Sequence, residues 1–233
     1  MVNRFFLDGI CSRDFGILIS EPTSYGTPAA DVEFQSVPGR SGDLILTKKR
    51  YENISITYPA NMFSRDPSQS MRRIAAWLNA TREYRKLYDT YNPGYYRYAA
   101  FASTIDPTVT GPLVEFNITF NCKPFLYAFS GDDDIEITSA MQIYNPEAFE
   151  SRPIITAYGT GAGEIYVNDR IINIDDIDEY ITIDTDTQNA YKGTANCNDA
   201  IDSADVPLAP AQNSIAFDGD ITKIVIKPRW RCL

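Results

Sequence analysis

The sequence predicts a mainly β protein made of two domains, and three observations lead to this prediction. Aromatic residues are abundant, with 15 Tyr, 12 Phe and 2 Trp among 233 residues, and flat rings pack well on the pleated surface of a strand. Many short apolar segments alternate with polar residues and are separated by turn residues, as in antiparallel sheets. The charge also changes abruptly along the chain, from a net +2 over residues 1–130 to a net −12 over residues 131–233.

The change in charge indicates a domain boundary after residue 130. Residues 1–130 hold 14 basic and 12 acidic side chains, whereas residues 131–233 hold 7 and 19. Residues 130–134 form a polar run that contains a glycine between two apolar segments, which is typical of a linker. We therefore expect a first domain over residues 1–130 and a second over residues 131–233.

The first domain is predicted to contain one helix among strands. Asp66 and Pro67 suit the N-cap and the first position of a helix near residues 66–82, with Gln69 three residues after the cap. Asn92-Pro93-Gly94 is turn chemistry between two aromatic segments, which predicts a hairpin. Strands are predicted over residues 15–19, 32–37, 44–46, 53–58, 84–88, 95–101 and 113–120.

The second domain is predicted to be an antiparallel β-sandwich of short strands. Its segments lack helical periodicity, and turn residues separate them at short intervals. The glycine-rich residues 159–163 and the pair Asn168-Asp169 are predicted to be loops or turns. Strands are predicted over residues 154–158, 165–167, 171–174, 180–183 and 221–226.

The composition argues against an enzyme. The chain has no histidine, which removes Ser-His-Asp and Cys-His catalysis and most catalytic zinc sites. The glycines at residues 159–163 are not followed by a predicted helix, so no helix N-terminus is available to bind phosphate. We therefore expect no catalytic residues, no cofactor and no functional metal site.

An EF-hand calcium loop beginning at Asp184 is also excluded. Its sixth position would be Asn189 instead of glycine, and its twelfth would be Ala195 instead of glutamate. A casual calcium site remains an alternative to a solvated acidic loop. Its ligands would be Asp175, Asp176, Asp178 and Asp184.

The chain has no feature of a secreted or membrane-spanning protein. The four cysteines are scattered and form no C-x-x-C pair, so we expect reduced thiols. The apolar run at the start is short and is interrupted by Asp8, unlike a signal peptide. No stretch approaches the roughly 20 apolar residues of a membrane helix. We expect synthesis in the cytoplasm and no membrane insertion.

Several short segments, in this order along the chain, resemble the distal tail proteins of long-tailed (siphophage) bacteriophages. In residues 37–42, VPGRSG, the family often has Asp where Ser41 stands. The other segments that carry the resemblance are residues 8–9, 14–17, 120–124, 145–146, 153–159, 213–215 and 227–230.

The resemblance implies a structural protein of the virion, located at the tail tip. Such proteins form a hexameric ring through their N-terminal domains. The ring caps the tail tube and docks tail-tip (tail-associated) or receptor-binding proteins, while a galectin-like C-terminal sandwich projects outward. Longer relatives carry inserted carbohydrate-binding modules, and this chain has no loop long enough for one. We therefore expect a baseplate hub protein without direct sugar binding.

A ring needs an interface that repeats from copy to copy, and a projecting β-hairpin arm could supply it by reaching the sheet edge of the next subunit. We interpret residues 32–58 as this arm, with a basic tip at residues 48–50. The near-neutral domain would close the ring, while the acidic domain would face solvent or a basic partner. The candidate interaction residues are Val37, Pro38, Gly39, Arg40, Lys48, Lys49 and Arg50.

Two other functions are weighed against this one. A carbohydrate-binding adhesion module would need aromatic side chains on one face of the second sandwich, and Tyr158, Tyr166 and Tyr180 could supply them. An enzyme acting on cell-wall polysaccharide comes third, because carboxylates are abundant but form no recognisable pair. Nucleic acid binding is not expected, since the acidic half repels phosphate.

Overall fold

The structure is a computed structural model, and it describes residues 3–20 and 26–233. The chain forms two compact units. One ends at Leu126 and also takes in Leu233, and the other runs from Tyr127 to Cys232. The change of unit therefore comes slightly before the boundary that we predict after residue 130.

The first unit is built on an antiparallel sheet. Its strands are β1 (Phe5–Leu7), β2 (Ile10–Cys11), β3 (Leu18–Ile19), β4 (Ala30–Gln35), β5 (Leu44–Tyr51), β6 (Ile54–Phe63), β7 (Arg85–Asp89), β8 (Tyr95–Phe101), β9 (Thr108–Thr110) and β10 (Leu113–Cys122). The sheet has the order β2-β1-β7-β8-β10-β6-β3, with β9 beside β10, while β4 and β5 pair only with each other. The hairpin predicted around residues 92–94 is confirmed as β7 and β8.

The core of the first unit lies between this sheet and the helix α1 (Pro67–Leu78). Ile74, Trp77 and Leu78 form the buried stripe of the helix, and the ring of Trp77 stacks on Phe5 at a centroid distance of 5.7 Å. On β6 and β10, alternate residues point into the core, as the period of two in a strand requires. The alternation in the sequence therefore identifies the buried face.

The helix begins where the sequence predicts and ends earlier. The carboxylate of Asp66 accepts a hydrogen bond from the backbone N–H of Gln69 at 2.9 Å, which satisfies one of the free N–H groups of the first turn. The predicted end near residue 82 is wrong, because two groups cap the chain at Leu78. Asn79 donates its side-chain amide to the carbonyl of Ala75 at 2.9 Å. Buried Arg85 donates to the carbonyl of Leu78 at 2.6 Å.

The strand predicted over residues 15–19 is also shorter than expected. Phe15 ends a 3₁₀ helix over Ser12–Phe15, and Gly16 follows with φ +75°. A positive φ breaks an extended chain, so the strand β3 begins only at Leu18. Phe15 instead packs its ring on Trp77 at 4.4 Å.

The second unit, all of which is described, is also antiparallel. Its strands, together with β11 at the change of unit, are β11 (Leu126–Ala128), β12 (Ile135–Ile137), β13 (Met141–Asn145), β14 (Ile154–Val167), β15 (Arg170–Asp184), β16 (Asn189–Lys192), β17 (Ala195–Asn196), β18 (Ala211–Lys227) and β19 (Arg231–Cys232). Its sheet has the order β12-β18-β14-β15-β16-β17, and β13 also pairs with β18. The mainly β fold class with antiparallel sheets is confirmed.

Three long strands replace the short strands that we predict in this unit. Residues 154–158 and 165–167 belong to one strand, β14, and the predicted glycine loop between them is part of that strand. Its pairing with β15 and β18 shifts at Gly159, Gly161 and Gly163, which marks β-bulges. A Cβ on Gly159 would lie 2.2 Å from the carbonyl oxygen of Asp220. These glycines therefore permit close approach of two strands instead of forming a loop.

The predicted linker at residues 130–134 is partly a packed turn. Phe129–Asp132 forms a 3₁₀ helix in which Gly131 is buried. The carbonyl of Gly131 accepts a hydrogen bond from the N–H of Arg229 at 2.7 Å. Gly131 and the acidic residues that follow it are therefore part of the second unit. Because Gly131 has no side chain, it can lie against the backbone of Trp230.

The four cysteines are free thiols in this structure, and Cys122 is buried in the core of the first unit. Over the described residues, no group of three or more His, Cys, Asp or Glu side chains could hold a metal ion. Of the helices in that part of the chain, none has both the length and the apolar character needed to cross a membrane.

Candidate assembly interface

The hairpin of β4 and β5 stands apart from the main sheet of the first unit. The two strands pair antiparallel with each other, with Phe34 opposite Ile45 and Val32 opposite Thr47. Residues 32–50 are all exposed. A two-stranded hairpin that is exposed along its length is marginally stable on its own in water, so this segment has the structure of an arm that needs a partner.

Both faces of the hairpin carry exposed apolar side chains. Val32, Phe34 and Ile45 share one face, with Phe34 63% and Ile45 60% exposed. Leu44 and Leu46 point to the other face and are also exposed. Since the side chains of a strand alternate between its faces, burying one face on its own chain would still leave the other open. Apolar residues on both faces are typical of a hairpin that is covered by another molecule.

The tip of the hairpin is formed by residues 36–43. The N–H of Arg40 donates to the carbonyl of Val37 at 3.1 Å, which closes a turn over Pro38 and Gly39. Gly39 and Gly42 have φ angles of +80° and +86°, which side chains with a Cβ rarely adopt. Four of the predicted interaction residues, at positions 37–40, thus lie together at the exposed end of the arm.

The basic residues lie near the base of the hairpin, and the predicted basic tip is wrong. Lys48, Lys49 and Arg50 are part of β5. At ~3.3 Å per residue, Arg50 lies roughly 20 Å from the start of this strand at Leu44. Lys49 has a φ of +55° and lies at a shift in the pairing between Ala30 and Val32. The run of three basic residues forms a bulge in a strand and does not form a turn.

The bulge is closed by an ion cluster that we call the base clasp, formed by Asp31, Lys48 and Arg50. The carboxylate of Asp31 lies 3.1 Å from Nζ of Lys48 and 2.6 Å from Nη2 of Arg50. Lys48 and Arg50 hold the pKa of Asp31 below its usual value, through hydrogen bonds and charge. Asp31 is buried while its two partners are exposed. The sequence gives no indication of Asp31, since its partners are 17 and 19 residues away.

Below the base clasp, the arm continues into the main sheet. The N–H of Glu52 donates to the carbonyl of Ala29 at 2.9 Å, and Tyr51 meets Phe125 edge-on at 5.8 Å. β6 then pairs with β10 along its full length. The predicted arm of residues 32–58 is therefore too long, because β6 belongs to the sheet, and the arm consists of β4, β5 and their turn.

The predicted interaction residues thus form two groups, one at the tip and one at the base. Sequence reasoning missed the apolar side chains between them, namely Val32, Phe34, Leu44, Ile45 and Leu46. The alternation over residues 32–37 predicts a strand with one buried face, whereas the structure leaves all five side chains exposed. The signal available in the sequence was a second strand next to a turn, with apolar residues on both faces and no other strand partner nearby.

The tyrosines proposed for sugar binding do not form one platform. Tyr158 and Tyr180 are cross-strand neighbours, with ring centroids 6.0 Å apart. Lys223 lies over the ring of Tyr158 at 5.0 Å, and Lys192 lies over Tyr180 at 5.5 Å. Tyr166 lies beyond the bulges and donates its hydroxyl to Glu164. A lysine side chain thus covers one face of the rings of Tyr158 and Tyr180.

The four aspartates weighed as calcium ligands are not gathered into one site. Asp184 accepts hydrogen bonds from Arg229, the nearer at 2.6 Å, and Asp178 lies 2.8 Å from Nζ of Lys192. Asp175 instead lines an open cleft of about 430 Å³ together with Glu164 and Asp218. Two of the four carboxylates are therefore already neutralised by a basic side chain.

Comparison with solved structures supports the fold described above. The chain is similar to the Dit protein of phage SPP1, described as a paradigm of the hub adsorption apparatus in phages that infect Gram-positive bacteria. The TM-score is 0.76 at 14% identity, and the alignment covers 100% of each chain. Chains of two phage P2 baseplate structures in the activated conformation, with Ca and with Sr, have TM-scores of 0.48 and 0.47 at 14% and 13% identity, covering 97% of this chain and 98% of theirs. No curated protein sequence matches this one.

Residues 10–122 match the sequence model of the phage tail protein RIFT-related domain. The matched range begins at β2 and ends with β10, so it takes in the helix, the arm and all strands of the sheet except β1. The SPP1 likeness then extends over both units. Residues 10–122 therefore carry the phage tail protein RIFT-related domain, and the chain has the fold of the SPP1 Dit protein.

Proposed function

We propose that this chain is a structural protein of the phage tail tip, a baseplate hub whose first units close into a ring of six copies. The observation that carries the proposal is the β4–β5 arm with apolar side chains exposed on both faces. No catalytic or cofactor-binding role is assigned to any residue. The family of the first unit and the likeness to a hub protein support the same role.

The arm provides the free energy for assembly. Full burial of a Val, Phe, Ile or Leu side chain contributes about 1.5–3 kcal/mol, and six apolar side chains of the arm are exposed. Both outer edges of the hairpin are also unpaired within the described part of the chain, where β4 and β5 pair with each other alone. An arm that lies on the next copy is a heterologous contact, and such contacts close into rings when the rotation between copies allows it.

The proposed partners follow from this position in the virion. The ring joins the tail tube protein to tail-tip or receptor-binding proteins, after synthesis of the chain in the host cytoplasm. The first unit carries the arm and is near neutral in charge, so like charges do not oppose the approach of six copies. The second unit is strongly acidic, so its charge favours a basic partner.

Native mass spectrometry tests the ring directly. Six copies of the 26.2 kDa chain give about 157 kDa. We expect this mass for the wild type and for Ile171→Asp, whose side chain is exposed in the second unit. The double variant Phe34→Asp/Ile45→Asp should dissociate, because two charges would be placed in the buried contact. A wild-type protein that stays monomeric at every concentration would contradict the ring.

Direct sugar binding by the second unit is the weaker alternative. Lysine side chains lie over the rings of Tyr158 and Tyr180, so stacking of a sugar would first have to displace them. A glycan array with the wild type and with Tyr158→Ala/Tyr180→Ala separates the two functions. Specific binding that is lost in the double variant would favour adhesion.

A further inference from the structure

The exposed side of the helix α1 and its flanking turns carry an unusual set of side chains. We call this surface the arginine face, and it consists of Arg65, Arg72, Arg73 and Arg82. All four side chains are exposed. The helix itself contains no acidic residue, and the carboxylate of its N-cap, Asp66, is bonded to the backbone.

None of these four arginines contacts a carboxylate among the described residues. Arg73 only lies over the ring of Phe15, at 5.9 Å from its centroid. An acidic residue one helical turn away would compensate an exposed arginine, and no residue at that spacing from Arg72 or Arg73 is acidic. Four uncompensated guanidinium groups on this helix and its flanking turns favour an acidic partner, because arginine binds carboxylates with two parallel hydrogen bonds.

The second unit shows the opposite imbalance. Each of its seven basic side chains is within an ion pair in the structure: Arg152, Arg170, Lys192, Lys223, Lys227, Arg229 and Arg231. Its carboxylates outnumber them by 19 to 7. Several carboxylates have no basic partner, among them Asp175, Asp176, Asp218 and Asp220. The negative charge of this unit is therefore available to another molecule.

We propose that the arginine face of one copy docks on the acidic second unit of another copy. This contact is separate from the one made by the apolar arm. Its charges would fix how neighbouring copies are arranged. Opposite potentials on two surfaces of the same chain favour association between copies and disfavour like-with-like pairing. Nucleic acid is a poorer partner for the arginine face, since the same chain carries a net charge of −10.

A photo-cross-linking experiment on the full chain tests the contact. Ala76 is exposed and lies one helical turn after Arg72 and Arg73, so a benzoyl-phenylalanine there reports on the arginine face without removing a charge. The labelled chain is mixed with an isotopically heavy wild-type chain and irradiated at low salt. We expect the probe to capture heavy peptides from residues 127–232, which only a contact between copies can give.

Three comparisons make the result decisive. Arg72→Glu/Arg73→Glu should lower the yield of the cross-link at least about tenfold, whereas Arg72→Lys/Arg73→Lys should retain most of it. The yield should also fall in 1 M salt, where charges are screened beyond about 3 Å. Capture of heavy peptides from the first unit only, or of none, would overturn the proposal. The proposal would also be overturned if no peptide were captured and the protein instead bound a labelled DNA duplex through Arg72 and Arg73.

The same samples separate this proposal from the ring. Native mass spectrometry of each variant reports the number of copies independently of the cross-link. A hexamer without the cross-link to the second unit would refute the docking of the arginine face and leave the arm-mediated ring intact. A cross-link in a protein that forms no hexamer would support the contact and contradict the ring.

Discussion

The carboxylate of Asp31 on β4 is held by Arg50 on β5 through contacts of 2.6 Å to both Nε and Nη2. Lys48 completes the base clasp from the other side of the bulge at Lys49. Both arginine nitrogens contact Oδ2 and Lys48 contacts Oδ1, so each oxygen of this carboxylate has a basic partner on β5. The direction in which the arm leaves the first unit therefore depends on one buried carboxylate.

Replacement of Asp31 should impair assembly without unfolding the first unit. Asp31→Asn keeps the shape of the side chain but removes its charge, so β4 and β5 lose the ion pairs that join them across the bulge. We expect a smaller hexamer fraction in native mass spectrometry and an unchanged thermal transition. Asp43→Asn, at the exposed tip turn, is the control and should assemble normally. Full assembly of Asp31→Asn would show that the arm does not need the base clasp.

The pH dependence of the base clasp follows from the direction of the shift. Lys48 and Arg50 lower the pKa of Asp31 from its usual value of 3.8, so the charged form is favoured when the clasp is made. The contribution of Asp31 is then complete above pH 3.8 and is lost as the pH falls through the lower, folded pKa. Assembly measured by light scattering should not change with the protonation of Asp31 near pH 6, where Asp31→Asn should assemble less than the wild type. The two proteins should differ least below the folded pKa.

Arg85 should be important for the stability of the first unit. Its buried guanidinium donates to the carbonyl of Leu78 at 2.6 Å and more weakly to that of Trp77, which also accepts from the backbone N–H of Ala80. Arg85→Ala leaves the carbonyl of Leu78 without its donor, and we expect a loss of about 1–3 kcal/mol in the free energy of unfolding. Urea denaturation measures it. Glu83→Ala, exposed in the same turn, should change it by less than about 0.5 kcal/mol.

A single methyl group at Gly131 should destabilise the second unit. A Cβ there would lie 2.2 Å from the backbone nitrogen of Trp230, and neither backbone can move without breaking the bond from Arg229 to Gly131. We expect Gly131→Ala to lower the free energy of unfolding by about 1–3 kcal/mol, as overpacking does in a core. Ser130→Ala, next to it and exposed, is the matched control. A stability equal to that of the control would mean that the turn can relax.

Cys122 should be the least reactive of the four thiols. Its burial raises the pKa to about 12, so at pH 8 the nucleophilic thiolate is almost absent in the folded protein. Cys11, Cys197 and Cys232 are only partly buried. Mass spectrometry after brief maleimide treatment at pH 8 should show modification of these three, and of Cys122 only in denaturant. Rapid labelling of Cys122 in the native protein would indicate that the core around it opens.

Local signals in the sequence predicted the elements that local chemistry determines. The cap at Asp66 with Pro67, the turn at Asn92-Pro93-Gly94 and the face alternation of β10 all depend on residues a few positions apart. They are therefore visible in a single sequence. The end of the helix is not visible in the same way, because it depends on Arg85, whose backbone lies on the next strand.

Long-range pairing explains the other differences. Glycines 159–163 have the composition of a loop, and only their close approach to Asp220 makes them a bulged strand. Lys48, Lys49 and Arg50 have the composition of an exposed tip, and only the carboxylate of Asp31 makes them the base of an arm. In both places the partner that determines the structure lies far away in the sequence.

The open arm has a consequence for the life of the free subunit. A chain with uncovered apolar strands and two unpaired edges is a template for disordered aggregation until its proper neighbour arrives. Repulsion between strongly acidic bodies keeps such chains apart in solution. The negative charge of the second unit therefore acts as colloidal protection. It gives each new copy time to join an ordered assembly before its exposed apolar hairpin associates at random with other copies.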